Sequence, residues 1–170
     1  MAFPRKAVIV RKFSRDWLAG YAPAGFGSEA GELELLDPAG KVVRLAWEQV
    51  KWICYVRDFT TSDPANPERL LHKSFATRPR AAGLWLRMTL TDGDVLEGLA
   101  ANDRSLVEGS GLLLVPPDTR SNTQRIFVPR QAIQALRVVS LIGAPGRQRR
   151  REQPLGAEQV DLFPREPEAS

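Results

Sequence analysis

Hydrophobic and polar residues alternate with a period of two in two segments of the chain, residues 8–21 and residues 86–99. Turn-forming residues interrupt each alternation, at positions 14–16 and 91–93. Because successive side chains of a strand point to opposite faces of a sheet, each segment predicts a β-hairpin. The second turn contains an Asp-Gly dipeptide, which favours tight turns because glycine tolerates a positive φ.

The two hairpins begin two copies of an internal repeat. Val8 aligns with Leu86 and Gly20 aligns with Gly98, an offset of 78 residues. Further along the chain the offset grows to 79 and then to 83, and the added residues fall in turn-like stretches, as expected for a duplicated strand framework. The later aligned segments are 33–38 with 112–117, 43–45 with 126–128, and Val50, Ile53 and Val56 with Ile133, Leu136 and Val139.

Each copy predicts five short strands, with a tight turn before the last one. Five strongly bent strands in about 50–57 residues favour an SH3-like or Sm-like small barrel, because closure removes exposed sheet edges. We therefore predict a mainly all-β protein with two tandem five-stranded barrels, at residues 5–57 and 84–140, a connector at 58–83 and a disordered tail at 141–170. The alternative is one larger mixed sheet that both copies share.

The connector contains the signals of a short helix. Asn66 is a good N-cap, Pro67 suits the first helical position, and Glu68 lies near the positive end of the helix dipole. Apolar residues at 70, 71 and 75 predict a helix that ends near Ala76 and covers an open barrel end. A partner-binding helix is the alternative interpretation.

Two resemblances support this organisation. Residues 90–98, with the sequence Leu-Thr-Asp-Gly-Asp-Val-Leu-Glu-Gly, resemble the first motif of Sm-like barrels, which implies the barrel fold. The loop at 100–103 and the turn at 129–131 lack the RNA-binding residues of that family, so uridine binding and ring formation do not carry over.

Taken whole, residues 8–140 resemble a family of uncharacterised bacterial proteins from acidobacteria-like genomes. That family brings no known activity. The segments that carry the resemblance are 11–13, 55–59, 83–86, 116–118 and 121–129.

The net charge of +4 is unevenly distributed and permits nucleic-acid binding. Residues 1–57 carry nine Lys/Arg against six Asp/Glu, and a second basic run lies in the tail. Aromatic rings beside basic side chains can stack on single-stranded bases, although the four tryptophans are more simply explained as core residues. The candidate nucleic-acid-binding residues are Arg11, Lys12, Arg15, Arg44, Trp47 in its tight turn, Arg147, Arg149, Arg150 and Arg151.

No catalytic, cofactor or metal site is predicted. The single histidine, His72, and the single cysteine, Cys54, cannot build a structural zinc site, and Cys54 suits a small buried strand residue. Asp92 and Asp94 lie at a hairpin tip, where solvent makes a catalytic dyad unfavourable. The glycines of residues 25–31 lack the Lys-Ser/Thr of a phosphate-binding loop.

A short motif in the tail predicts a docking peptide. Residues 159–163, Gln-Val-Asp-Leu-Phe, resemble the peptide with which bacterial polymerases and repair proteins bind the sliding clamp. Leu162 and Phe163 would fill an apolar pocket, Val160 a second one, and Gln159 would hydrogen-bond at the rim. A protein partner, with the sliding clamp as one candidate, is therefore expected.

These features favour a non-catalytic adaptor whose barrels bind one macromolecule and whose tail binds another. The alternative is an RNA- or single-stranded-DNA-binding module. No run approaches the roughly 18–20 apolar residues of a membrane span, and one cysteine excludes an internal disulfide, so we expect a cytoplasmic protein without membrane contact. The oligomeric state stays open.

Overall fold

The computed structural model of the chain describes residues 4–23, 31–59, 72–118 and 120–143. These residues form strands and three short 3₁₀ turns, at Trp47–Gln49, Arg104–Leu106 and Arg130–Ala132, and contain no α-helix. The all-β class is thus confirmed. The ten strands are β1 (Arg5–Lys12), β2 (Trp17–Pro23), β3 (Glu32–Leu36), β4 (Val42–Ala46), β5 (Val50–Val56), β6 (Gly83–Leu90), β7 (Val95–Ala100), β8 (Gly111–Val115), β9 (Thr123–Pro129) and β10 (Ile133–Ile142).

All ten strands belong to one antiparallel sheet with the order β10-β6-β7-β8-β9-β5-β1-β2-β3-β4. Each copy contributes five adjacent strands in the same order: last, first, second, third, fourth. The pairing of β9 with β5 joins the two copies, and we call this pairing the seam. β4 and β10 are consequently the two edges of the sheet.

Strand register confirms the internal repeat pair by pair. Val8 lies opposite Gly20 on one side and Tyr55 on the other. At the expected offsets, Leu86 lies opposite Gly98 and Val138. The irregularity that lets β5 skip one residue opposite β1 recurs where β10 skips one residue opposite β6. The offsets of 78, 79 and 83 therefore correspond to real structural equivalence.

The predicted hairpin turns are also equivalent. The backbone N–H of Lys12 donates to the carbonyl of Asp16, and that of Leu90 donates to the carbonyl of Asp94. Both turns contain a residue with a positive φ, which is Gly93 at 87° in the second copy. The first copy has Arg15 there at 70°, a conformation that costs an L-residue about 1 kcal/mol or more.

A glycine is needed where the second and third strands of each copy approach closely. A Cβ on Gly20 would lie 2.9 Å from the carbonyl oxygen of Leu36, and one on Gly98 would lie 2.8 Å from the Cβ of Leu114. Because any side chain would push the strands apart, the aligned glycines mark a shared bend in the framework.

Two hydrophobic clusters form the core, and the seam exchanges side chains between them. The first-copy cluster includes Val8, Leu35 and Ile53, but also Phe127 from β9. The second-copy cluster is built on β6–β9 and takes in the opposite face of β1 and β5, including Trp52. Cys54 is buried in this second cluster, as predicted. β5 is therefore buried on both faces, because each face belongs to a different copy.

Closure into two separate barrels is not observed, since the described strands form one unclosed sheet. Closing the second copy on itself requires β9 to face β10, whereas β9 pairs with β5 of the first copy. The alternative of a sheet shared by both copies is correct, although the sheet is antiparallel and not mixed.

The predicted connector helix does not extend into the described residues. Its start at 66–71 lies outside them, and residues 72–76 have no helical structure. This segment instead bonds to β7, because the N–H of Glu97 donates to the carbonyl of Lys73 at 2.7 Å and the N–H of Phe75 donates to the Glu97 carboxylate at 3.0 Å. The tail from residue 144 onward also lies outside the described residues.

Candidate binding surfaces

The edge strand β10 exposes a row of aliphatic side chains. The exposed fractions are 44% for Leu136, 56% for Val138, 39% for Val139 and 58% for Leu141. Half of the large hydrophobic residues exposed in the described parts of the chain lie on this one strand. Clustering of this kind is typical of an interaction surface, whereas single exposed apolar residues need no explanation.

Comparison with the equivalent strand makes this exposure informative. Ile53, Tyr55 and Val56 of β5 occupy the positions of Leu136, Val138 and Val139, and all three are buried. Among the described strands, β5 has a neighbour on each side, β1 and β9, while β10 pairs with β6 alone. The exposure of β10 thus follows from a missing neighbour, and the sequence keeps it apolar nonetheless. Sequence reasoning placed these residues in the last strand but did not recognise a surface.

The opposite edge, β4, is less apolar. Val42 is 47% exposed, and Arg44 lies with its Nε 3.8 Å from a carboxylate oxygen of Glu34 on β3. The outer backbone groups of an edge strand can pair with a further strand. β4 and β10 therefore both present hydrogen-bonding groups, but only β10 presents a row of aliphatic side chains.

A cluster of charged groups beside the seam forms ion pairs between the two copies. The ammonium of Lys51, which is nearly buried, lies 2.5 Å from a carboxylate oxygen of Asp92 and 2.5 Å from one of Asp94. Lys73 reaches Asp94 at 3.3 Å, and both lysines lie over the ring of Trp52, 4.9 and 5.5 Å from its centroid. The acidic pair at the hairpin tip therefore binds a lysine of the other copy and is only partly open to solvent.

The electrostatics of this cluster are those of a structural ion triad. Burial raises the pKa of Asp92, but the hydrogen bonds from Lys51 and from the N–H of Asp94 outweigh it and hold that pKa below its usual value. The hydrogen bond from Lys51 lowers the pKa of Asp94 more than burial raises it, and Lys73 lowers it further. Both carboxylates are thus kept ionised, as expected for ion pairs that join the two copies. A general acid would instead need a raised pKa.

Glu97 is a second buried carboxylate with a structural role. Its side chain is only 1% exposed and accepts hydrogen bonds from Arg87 Nε at 2.8 Å and from Trp85 Nε1 at 3.1 Å, in addition to the bond from Phe75. Burial raises the pKa of Glu97, but these donors lower it by more, so it lies below the usual value. Glu97 thereby fastens segment 72–76 to the second copy.

The structure brings together only part of the predicted basic surface. Arg11, Lys12 and Arg15 lie at one end of the β1–β2 hairpin, with Lys12 Nζ 3.8 Å from Asp16. Arg44 lies on β4, three strands away from β1 in the sheet.

The remaining predicted residues of that surface do not join it in the described structure. Trp47 is half-buried and packs edge-on against Phe127, with ring centroids 6.2 Å apart. The predicted tail residues Arg147, Arg149, Arg150 and Arg151, and the docking residues Gln159, Val160, Leu162 and Phe163, lie outside the described residues.

No group of three or more histidine, cysteine, aspartate or glutamate side chains that could hold a metal occurs in the described parts of the chain. Within the same residues, no helix is long and apolar enough to cross a membrane. His72 lies at the surface, 3.7 Å from Asp118, while Cys54 is in the core.

Comparison with known proteins gives one match. The model of a family of unknown function, DUF6982, matches residues 4–140. No curated protein and no solved structure matches the chain. The expectation of an uncharacterised family is thereby confirmed, and the match spans both copies of the repeat together with the seam.

Proposed function

Since the chain belongs to the DUF6982 family, whose function is unknown, we propose from its own surfaces that it is a non-catalytic binding protein that takes a macromolecular partner on the β10 edge. The observation that carries this proposal is the row of exposed aliphatic residues on β10, at positions that are buried in the equivalent strand β5. A charged or proline-containing edge would discourage such pairing, and the sequence of β10 has one charged residue and no proline.

The proposed mode of binding is strand addition. An extended segment laid along β10 would bond to its outer backbone groups and cover aliphatic side chains on both faces of the sheet. Full burial of a Leu or Val side chain contributes about 1.5–3 kcal/mol, so each half-exposed residue would contribute about 1 kcal/mol. Four such residues would contribute about 4 kcal/mol, which is comparable to the lower estimates of the cost of association, so the backbone hydrogen bonds would supply the surplus and the binding would be reversible.

We also propose that each copy of the repeat is related to small Sm-like or SH3-like barrels. It is supported by the five-strand order that both copies share and by the 3₁₀ turn that precedes the last strand in each copy. A bacterial source and a cytoplasmic location are likewise retained as proposals, on the sequence resemblance and the single cysteine.

The tail would provide the second contact of an adaptor. Its support is the sequence of residues 159–163 alone, with Leu162 and Phe163 as apolar anchors and a sliding clamp as one candidate partner. The sheet and the tail would then recruit different partners, which two independent variants can separate.

The test is a quantitative pull-down with the full chain. Val138→Lys places a charge in the middle of the β10 row, while Val107→Lys, at a residue that is 80% exposed in a loop, adds the same charge elsewhere. We expect Val138→Lys to lose a partner that Val107→Lys retains, and Leu162→Ala with Phe163→Ala to lose a different one. Identical partner sets for wild type and Val138→Lys would refute binding at β10.

Nucleic-acid binding is the second candidate, favoured by the position of Arg11, Lys12 and Arg15 at one end of the β1–β2 hairpin. Such binding depends steeply on salt, because phosphate contacts release counterions. The test is a titration with single-stranded DNA and RNA at low and at physiological salt. An absence of binding at low salt, or equal binding by an Arg11→Ala, Arg15→Ala variant, would exclude this hairpin as the nucleic-acid site.

A further inference from the structure

Inside the chain, the fourth strand of one copy pairs with the fifth strand of the other, since β9 lies against β5. In the part of the chain that the structure describes, the two strands without an outer neighbour are β4, which is also a fourth strand, and β10, which is also a fifth strand. We propose that a second copy of this chain pairs its β4 with β10, so that the seam is repeated between molecules. This inference rests on the proposed function and names the partner of the β10 edge.

The repeat fixes the register of the proposed pairing. In the seam, Ile53 lies opposite Phe127, Cys54 opposite Ile126 and Tyr55 opposite Arg125. An offset of 83 residues relates β5 to β10 and also relates β4 to β9. The pairing of β5 with β1 matches that of β10 with β6 at this offset, and the pairing of β4 with β3 matches that of β9 with β8. Transferred to the two edges, this register places Leu136 opposite Arg44 of the second copy, Arg137 opposite Val43, and Val138 opposite Val42.

The pattern of exposure agrees with this register. Val138 and Val42 are 56% and 47% exposed, lie on opposite edges of the sheet, and would meet directly. On either side, Leu136 and Val139 would become covered as Ile53 and Val56 are covered in the seam. Three of the four exposed aliphatic residues of β10, Leu136, Val138 and Val139, are thus explained by a neighbour of the kind that β5 already has.

Two arginines stand where the seam has uncharged residues, and they weaken the proposed pairing. Arg44 would stand where Phe127 stands, and Arg137 where Cys54 stands. An arginine can lay its aliphatic stem on an apolar neighbour while its guanidinium reaches water, but it fills a pocket less well than the residue it replaces. We therefore expect association that is reversible and depends on concentration, whereas the internal seam is permanent.

The contact is heterologous, because it joins unlike edges. A pair of chains linked in this way still has one unpaired β4 and one unpaired β10, so further chains can add until a ring closes or an open chain results. Pairing of two β10 strands with each other would instead stop at a dimer. The stoichiometry of suitable variants can therefore distinguish the two arrangements.

The experiment is sedimentation velocity of the full chain over a wide concentration range. The wild type is expected to exceed the monomer mass of 18.9 kDa as concentration rises. Val138→Lys and Val42→Pro each damage one edge and are expected to weaken self-association about tenfold or more, because a lysine at 138 would be buried without a partner and a proline on an edge strand blocks pairing. Val107→Lys, in an exposed loop, is the matched control and should associate as the wild type does.

A mixing step makes the test specific for unlike edges. Val138→Lys retains an intact β4, and Val42→Pro retains an intact β10, so an equimolar mixture should form a one-to-one dimer that neither variant forms alone. Formation of that dimer also shows that both variants are folded.

Three results would overturn the proposal: a wild type that stays monomeric at every concentration, a Val42→Pro variant that associates normally, or a mixture that remains monomeric. The pull-down result is independent of these outcomes. If β10 variants lose a different protein while the wild type is monomeric, the self-association fails and the proposed function stands. If neither measurement responds to Val138→Lys, both fail.

Discussion

Replacing Lys51 by methionine tests whether the ion triad holds the two copies of the repeat together. The lysine side chain is 8% exposed and joins β5 of the first copy to the β6–β7 turn of the second through Asp92 and Asp94. Methionine has a similar length and can keep the apolar contact with Trp52, so the variant mainly removes the charge and its hydrogen bonds. We expect the variant to fold and to be less stable.

The magnitude follows from the burial of the three partners. Removing one member of a well-buried ion pair costs about 3–5 kcal/mol. Asp92 and Asp94 retain 33% and 44% exposure, so water can rehydrate them once the lysine is gone, and we expect a loss of about 1–3 kcal/mol. For a chain of this size, that loss lowers Tm by roughly 3–10 °C.

The pH dependence gives the same variant a second readout. The pKa values of Asp92 and Asp94 are lowered in the folded protein, so their stabilisation is present above the ordinary value of 3.8 and is lost as the pH falls through the lowered values. Without Lys51, less of this stabilisation exists to be lost. The difference in free energy of unfolding between wild type and Lys51→Met should therefore shrink as the pH falls below about 4.

The assay is urea unfolding followed by tryptophan fluorescence, at neutral pH and in steps down to about pH 3. Lys41→Met is the matched control, because Lys41 is an exposed lysine in the β3–β4 turn. A Lys51→Met variant as stable as the wild type at neutral pH would refute the idea that the ion triad stabilises the contact between the two copies. So would an equal loss in Lys41→Met, which would point to a general effect of removing charge.

Three further predictions concern single residues. Gly98→Ala should lower the free energy of unfolding by about 1–3 kcal/mol, because the new Cβ would lie 2.8 Å from the Cβ of Leu114. Gly31→Ala is the control and should leave stability almost unchanged, because nothing lies within 4 Å of its Cβ position. Equal unfolding midpoints for the two variants would contradict this prediction. Arg15→Gly should stabilise by about 0.5–1 kcal/mol, because Arg15 has a φ of 70° that glycine adopts without strain, and thermal unfolding against wild type measures the change. Burial raises the pKa of Tyr55 to about 12, so the neutral side chain stabilises the fold below the ordinary value of 10, and this contribution is lost as the pH rises through 12. In a Tyr21→Phe variant, Tyr55 is the one tyrosine of the sequence. Ultraviolet titration of that variant should show no tyrosine ionisation near pH 10 while the protein stays folded.

The strands and the repeat could be predicted from sequence because their signals are local. Alternation with a period of two identified both hairpins, and Gly20 and Gly98, which align in the repeat, both lie where neighbouring strands approach closely. Turn residues separated the strands well enough to give the offsets that the register reproduces. Local chemistry determines these features, so one sequence was sufficient.

The seam could not be predicted in the same way, because alternation indicates which faces are buried and says nothing about the neighbour at a strand's edge. One signal was available. Residues 52–56 are an uninterrupted run of Trp, Ile, Cys, Tyr and Val, which is typical of a strand buried on both faces and not of a strand in a small isolated barrel. This run therefore favours one sheet shared by both copies over two separate barrels.

Contacts between distant residues explain the other errors. Lys51 and Asp92 are 41 positions apart, so nothing near Asp92 in sequence indicated that the acidic hairpin tip would bind a buried lysine. The helix-start signals at 66–68 lie outside the described residues, but the predicted end of that helix is wrong, because the carboxylate of Glu97 bonds to the backbone at Phe75 and residues 72–76 are not helical. Tertiary hydrogen bonds to a buried charge outweigh a helix propensity of a few tenths of a kcal/mol per residue.

Comparison of β5 with β10 shows how duplication can produce one permanent and one reversible interface from the same strand. On the face that packs into the second copy, β5 has Trp52, Cys54 and Val56, which are all buried. The equivalent residues of β10 are alanine, arginine and valine, so this face tolerates water. On the other face, Leu136 and Val138 remain aliphatic although they are exposed. A strand with a charged residue on one face and aliphatic residues on the other is less prone to aggregate than β5 would be, yet it is stabilised when a neighbour covers it. That combination is required of a reversible edge, because a fully apolar strand would aggregate and a fully polar strand would bind nothing.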